Sequence, residues 1–220
     1  MRYYVYVSDA KLDMLSPQIP PKIRDNLAAE LKIDLKLLSL TVKSKDNEET
    51  RYSKLSLVTK YLHEHEDVGS VDEPGRYFEG SLPMAWGPIG MGRGVYFGAI
   101  TEHTILGLAG SPRHVIRSAD AGSVPWEATS ATPDLYDLLR STSPTVVEAA
   151  PMMLGGAVLG LDPVAAEGVV RATTGLSGPV QHLEFLAKRV ADGFTDLIPG
   201  YSSDRKRIVL GTPVYVAQAD

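Results

Sequence analysis

The chain opens on dense β-branched and aromatic residues. Tyr3-Tyr4-Val5-Tyr6-Val7-Ser8 predicts a strand, with Tyr4 and Tyr6 on one face and Tyr3, Val5 and Val7 on the other. Residues 11–15 read as a short turn of helix, stopped by Pro17, Pro20 and Pro21. Ile23, Leu27, Ala28 and Leu31 then recur at helical spacing. Residues 36–43, with Leu37, Leu38, Leu40 and Val42, predict a strand, and 44–49 a charged loop. Residues 51–65 predict a helix, with Thr50 as N-cap and Leu55, Val58 and Leu62 as the buried stripe.

From residue 77 the rhythm changes. Glycines become frequent and helical periodicity disappears. Three short strands are predicted, at 77–84, 95–101 and 104–108, forming an antiparallel meander with Glu102-His103 as its tight turn. Ser111-Pro112 opens a short helix, Ser as N-cap and Pro at the first helical position. A small-residue loop follows around Trp126. Helices are then predicted after Thr132 and around 146–159 and 163–173. Gly178-Pro179 opens a last one, with Val180, Leu183, Leu186 and Val190 in line. Residues 207–217 read as a strand pair, or one bent strand broken at Gly211 and Pro213.

These elements predict one α+β domain over residues 1–220. Its sheet is mainly antiparallel and built in the N-terminal half, with the last strand returning to it. A helical C-terminal portion follows, and 132–195 could form a subdomain.

Composition narrows the function classes. Lys+Arg number 22 against 27 Asp+Glu, a net charge of −5. The one dense basic cluster is Arg205-Lys206-Arg207, so a nucleic-acid partner is not expected. Cysteine is absent, which excludes a thiol nucleophile, a disulfide framework, a Cys-ligated zinc and an iron–sulfur cluster. The apolar run 146–161 contains Glu148, Pro151 and three glycines and is too short to span a bilayer. It reads as a buried helix or a self-association face. Asp9 arrives before any signal-peptide apolar region, so a cytoplasmic protein with no membrane partner is expected.

Five segments could carry chemistry. In Gly107-Leu108-Ala109-Gly110-Ser111-Pro112-Arg113-His114, a strand meets a glycine turn and a helix start. Backbone donors at Gly110 and Ser111 would favour an anion there. Arg113 would add charge and His114 a proton. A plain capped helix explains the same residues. Gly90-Met91-Gly92-Arg93-Gly94 precedes a strand, so it reads as a hairpin carrying Arg93, not a nucleotide loop. Glu79 lies between an aromatic pair and a glycine and could act as an acid or base, as could His114. Ser8-Asp9-Ala10-Lys11 follows the first strand, where Asp9 could orient a ligand. His63 and His65 are two apart, so on a helix they would not share one metal. No metal set and no cofactor fingerprint is present.

Three phrases carry a resemblance: Tyr4-x-Tyr6-x-Ser8-Asp9-x-Lys11; Val95-Tyr96-Phe97-Gly98 leading to Gly107-x-x-Gly110-Ser111-x-x-His114-Val115; and His182-Leu183-Glu184-Phe185-Leu186-Ala187-Lys188-Arg189 with Gly211-Thr212-Pro213-Val214-Tyr215-Val216-Ala217. Together they resemble an uncharacterised family of actinobacterial proteins of about this length. The resemblance implies a single full-length domain and carries no activity. The functional expectation is a binding module for a small polar or anionic ligand. A cofactor-independent acid–base enzyme (cyclase, isomerase or lyase type) is the alternative, and a protein–protein interaction module the second.

Overall fold

Strand pairing decides the architecture. The computed structural model describes residues 2–33, 47–90, 92–116, 163–195 and 206–219. In chain order these form β1 (Tyr3–Val7), α1 (Asp9–Leu15), α2 (Pro21–Glu30), α3 (Asn47–His65), β2 (Val68–Gly69), β3 (Tyr77–Ile89), β4 (Gly94–Ile100), β5 (Thr104–Gly110), α4 (Pro163–Thr174), β6 (Gln181–Thr195) and β7 (Lys206–Gln218). The strand expected at 36–43, the loop around Trp126 and the helices expected between 132 and 162 lie outside the described residues.

Five strands close on themselves. β3, β4 and β5 form the expected antiparallel meander. β5 pairs with β7 in parallel, β7 with β6 antiparallel, and β6 returns to β3 antiparallel. The result is a closed mixed barrel with helices around it. Numbering its strands in chain order, the circuit is 1-2-3-5-4-1, a Greek-key ring shared with OB-type barrels. Closure removes most sheet edges. One end of β7 pairs with β5, through Thr104 opposite Arg207 to Leu108 opposite Gly211. Its other end pairs with β1, from Tyr3 opposite Gln218 to Val7 opposite Tyr215.

The inside of the ring is apolar. Phe78, Met84, Phe97, Leu106, Leu108, Leu183, Phe185 and Val209 fill it. Phe78 meets Phe185 edge-on at 5.6 Å, and Trp86 stacks on Phe97 at 5.6 Å. Removing this surface from water is the main stabilising term. Two helical layers cover the outside. α4 places Ala166, Val169 and Ala172 against Tyr96, Ile105, Ile208 and Leu210. Leu12, Leu27, Leu55, Val58 and Leu62 of α1, α2 and α3 cover Tyr77, Leu186, Val214 and Tyr215.

The largest correction concerns the last predicted helix: residues 181–195 are β6, a barrel strand. The C-terminal portion is therefore not wholly helical, and a helical subdomain cannot extend to 195. Leu183, Leu186 and Val190 mimic a helical stripe because β6 is covered on both faces. Leu183, Phe185 and Ala187 face the barrel interior, while Leu186 faces the helices. Two register irregularities, at Leu186/Ala187 and Arg189/Ala191, further break the two-residue period. His182 consequently lies on a strand, its Nε2 3.1 Å from Ser81 Oγ.

Smaller corrections have equally local causes. α3 begins at Asn47, so Thr50 is inside the helix and is not its cap. Of the two readings for 207–217, the single strand is the one observed, β7 running unbroken over Lys206–Gln218. In β1 a register shift between Tyr4 and Tyr6 overturns the expected faces. Val5 and Tyr6 join the barrel cluster, while Val7 joins the helical one.

Candidate functional site

The residues singled out around Asp9 and His114 meet at one end of β1. Ser8 closes that strand, its backbone N–H donating to Val214 O at 2.9 Å, and α1 starts at Asp9. β5 runs on through Gly110, further than its apolar pattern predicted. The helix expected after Ser111 is a single 3₁₀ turn, Pro112–His114, with Ser111 Oγ accepting from Arg113 N at 3.4 Å. Three residues supply almost no helix dipole, so the anion attraction expected there loses that source. After the turn the chain doubles back along β1. Val115 bridges to Tyr6, and Ile116 N donates to Val5 O at 2.9 Å. This return sets His114 beside Asp9.

The two side chains form a dyad. His114 Nδ1 lies 3.8 Å from Asp9 Oδ2, an ion-pair distance longer than a hydrogen bond. The His114 ring packs edge-on against Tyr6 at 5.8 Å. A third element contributes Arg51, at the N-terminal end of α3. Its Nε is 2.7 Å from Asp9 Oδ1 and its Nη2 2.8 Å from Oδ2, a two-pronged grip. Burial pushes the Asp9 carboxyl up, but His114 and the Arg51 guanidinium outweigh it and hold it below its ordinary value. Asp9 is thus an anion at neutral pH.

Tyr6 is the floor of the cluster. It is 1% exposed, and burial pushes its phenol far above the ordinary range, partly offset by hydrogen bonds to the Ser8 side chain and the Ser111 backbone. The phenol lies on Gly110, where a Cβ would stand 2.3 Å from its oxygen. Gly110 therefore gives room to Tyr6 within a strand. Gly107 does the same for Tyr96, whose oxygen would be 2.1 Å from a Cβ. These glycines answer to aromatic packing more than to turns.

The remaining candidates divide. Arg93 belongs to the β3–β4 turn, and its Nε donates to Gly90 O at 3.1 Å. Val95 pairs with Gly110, so this turn is at the same end of the sheet as Ser111 and Arg113. Glu79 is elsewhere. Its Oε2 lies 2.8 Å from His63 Nε2, near the C-terminal end of α3. Arg51 and His63 are twelve residues apart on that helix, roughly 18 Å at 1.5 Å per residue. Glu79 and His114 therefore do not share a site. Arg51 was missed because its link to Asp9 spans 42 positions and has no local signal.

A family model, described as a family of unknown function (DUF7019), matches residues 2–220, and the chain belongs to that family. No curated protein and no solved structure matches the chain. Among the described residues, no helix is long and apolar enough to cross a membrane.

Proposed function

We propose that the chain is a binding module for a small polar or anionic ligand. The ligand would sit where Gly110, Ser111, Arg113 and His114 meet Asp9, with Arg93 on the adjacent turn. The observation that supports this reading is the Asp9–His114 dyad, assembled from β1–α1, α3 and the β5 turn. Arg113 is exposed and His114 half-buried, so both can reach a bound molecule. Arg51 grips both carboxylate oxygens of Asp9, and Arg113 and Arg93 lie at the same end of the sheet. A cytoplasmic location, and no nucleic-acid partner, go with this reading. Self-association through 146–161 is a separate proposal, because that segment lies outside the described residues.

A thermal-shift screen of nucleotides and phosphorylated metabolites tests it. The expected result is a shift for the wild type that shrinks in Arg113→Ala. No shift, or the same shift in both proteins, overturns the reading.

The dyad also favours a second reading, a cofactor-independent acid–base enzyme. A carboxylate beside an imidazole is the pair from which a general base is built, the contact tightening when substrate binds. In that case His114 would move the proton, Asp9 would position it, and Glu79 would take no part. Turnover of a screened substrate that disappears in His114→Gln supports this reading over plain binding.

A further inference from the structure

The His63–Glu79 pair stands beside a cleft that the Asp9 site does not use. α3 lies on the barrel wall through Leu55, Val58 and Leu62. Next to that apolar stripe, the helix and the start of β1 leave an open-mouthed cavity of about 340 Å³. That is the small end of the size range of ligand sites. Ser56, Thr59, Lys60 and His63 line it from the helix, and Arg2 and Tyr4 from the strand. Spacings of three and four put the four helix residues on one face.

The cations of this cleft are held in place by carboxylates. Arg2 Nε lies 2.7 Å from Glu184 Oε1, and its guanidinium is 5.8 Å from the centre of the Tyr215 ring. Lys60 Nζ reaches Glu30 Oε1 and, at 3.4 Å, Glu64 Oε1. His63 is pinned on both nitrogens, Nδ1 2.9 Å from Thr59 O and Nε2 2.8 Å from Glu79 Oε2. Of these carboxylates only Glu64 lines the cavity, whereas both cations do. Tyr4 stacks on Tyr52 at 5.3 Å and meets Tyr215 edge-on at 5.7 Å, so its ring is a fixed apolar wall. One polar group of the wall is left unsatisfied. Thr59 Oγ1 is buried and has no hydrogen-bond partner among the described residues. Such a hydroxyl is a donor that a bound acceptor completes.

We propose that this cleft is a second binding site, one that takes a small aromatic carboxylate. The carboxylate lies between Arg2 and Lys60 and accepts from the Thr59 hydroxyl, while the ring rests on Tyr4. His63, with both nitrogens engaged, closes one end as a wall and donates nothing to the ligand. The cavity volume restricts the partner to a compound built on a single ring. The site does not rest on the Asp9–His114 reading, because that cluster meets α3 at the other end of the helix, through Arg51.

Benzoate and its neutral counterpart benzamide test this on the full chain, by NMR titration of labelled protein. Benzoate should shift the amides of Tyr4, Thr59 and Lys60 saturably. Benzamide should bind roughly tenfold or more weakly, the loss of a charge-assisted contact. Thr59→Val keeps the side-chain shape and removes only an unsatisfied hydroxyl, so its thermal midpoint should not fall. Its benzoate affinity should drop roughly three- to tenfold, the worth of one hydrogen bond. Lys60→Met should weaken benzoate and leave benzamide unchanged. Equal binding of the two compounds overturns the proposal, as does the absence of any saturable shift or an unchanged benzoate affinity in Thr59→Val. Shifts confined to Ser111, Arg113 and His114 would put the anion at the other site and overturn it as well.

Discussion

The Tyr6 phenol rests on the backbone of Gly110, leaving no room for a Cβ there. This contact joins the first strand to the last residue of β5 and fixes where the chain turns toward His114. Gly110→Ala should therefore displace Tyr6 and, with it, the ring that supports His114. A destabilisation of about 1–3 kcal/mol is expected, the usual range for overpacking a buried site. Urea denaturation monitored by circular dichroism measures it. A change near zero would mean that Tyr6 can move aside without strain.

Tyr96 and Gly107 repeat the relationship on the other side of the sheet. The Tyr96 hydroxyl donates to Val169 O at 3.2 Å and lies 2.9 Å from Thr173 Oγ1, tying α4 to β4. Tyr96→Phe should cost about 1–2 kcal/mol for the lost hydrogen bonds. Gly107→Ala should cost less in a Tyr96→Phe background than alone, because the closest clash is with the phenol oxygen. A double-mutant cycle reads the coupling, and strictly additive losses would contradict the contact.

Lys11 makes stability depend on alkaline pH. Its folded-state value of about 8 is below the ordinary 10.5, so the unfolded chain binds more protons between those values. Stability should rise as pH increases through that window. The linkage amounts to about 3 kcal/mol, fully gained only near the unfolded value. Lys11→Met should abolish the rise and be more stable than wild type at pH 7. Denaturation curves of both proteins from pH 7 to 10.5 test the sign. Parallel profiles would show that the amine is not desolvated.

Asp9 gives the opposite limb. Its carboxyl titrates below the ordinary value when folded, so its stabilisation is present above the unfolded value and is lost as pH falls through the folded one. Asp9→Asn should flatten the acid side of the stability profile. The loss at neutral pH should be roughly 1 kcal/mol, since both Asp9 and Arg51 remain about a third exposed. An unchanged acid limb would remove the ion pair from the account.

The sequence made the meander legible because recognisable turns separate its strands, although β3 runs on to Ile89, past the predicted end at 84. It also disclosed that the strand read at 207–217 returns to the sheet of the N-terminal half. β6 was unreadable for a physical reason. A strand covered on both faces has no two-residue period, and its bulges left Leu183, Leu186 and Val190 at helical spacing. The closed ring was equally hidden, since closure is a property of pairings between distant strands. At the candidate site, proximity along the chain found Gly110, Ser111, Arg113 and His114, and strand-end placement found Asp9. It could not find Arg51, nor show that Glu79 belongs with His63 instead.

The proposal of a polar-ligand site at Asp9 and His114 is tested most directly by amide and imidazole NMR. The strongest compound from the thermal-shift screen is titrated into labelled protein. Saturable shifts concentrated at Asp9, Ser111, Arg113 and His114, and abolished in His114→Ala, are the predicted result. Shifts that leave these residues unmoved, or that persist unchanged in the variant, would contradict it.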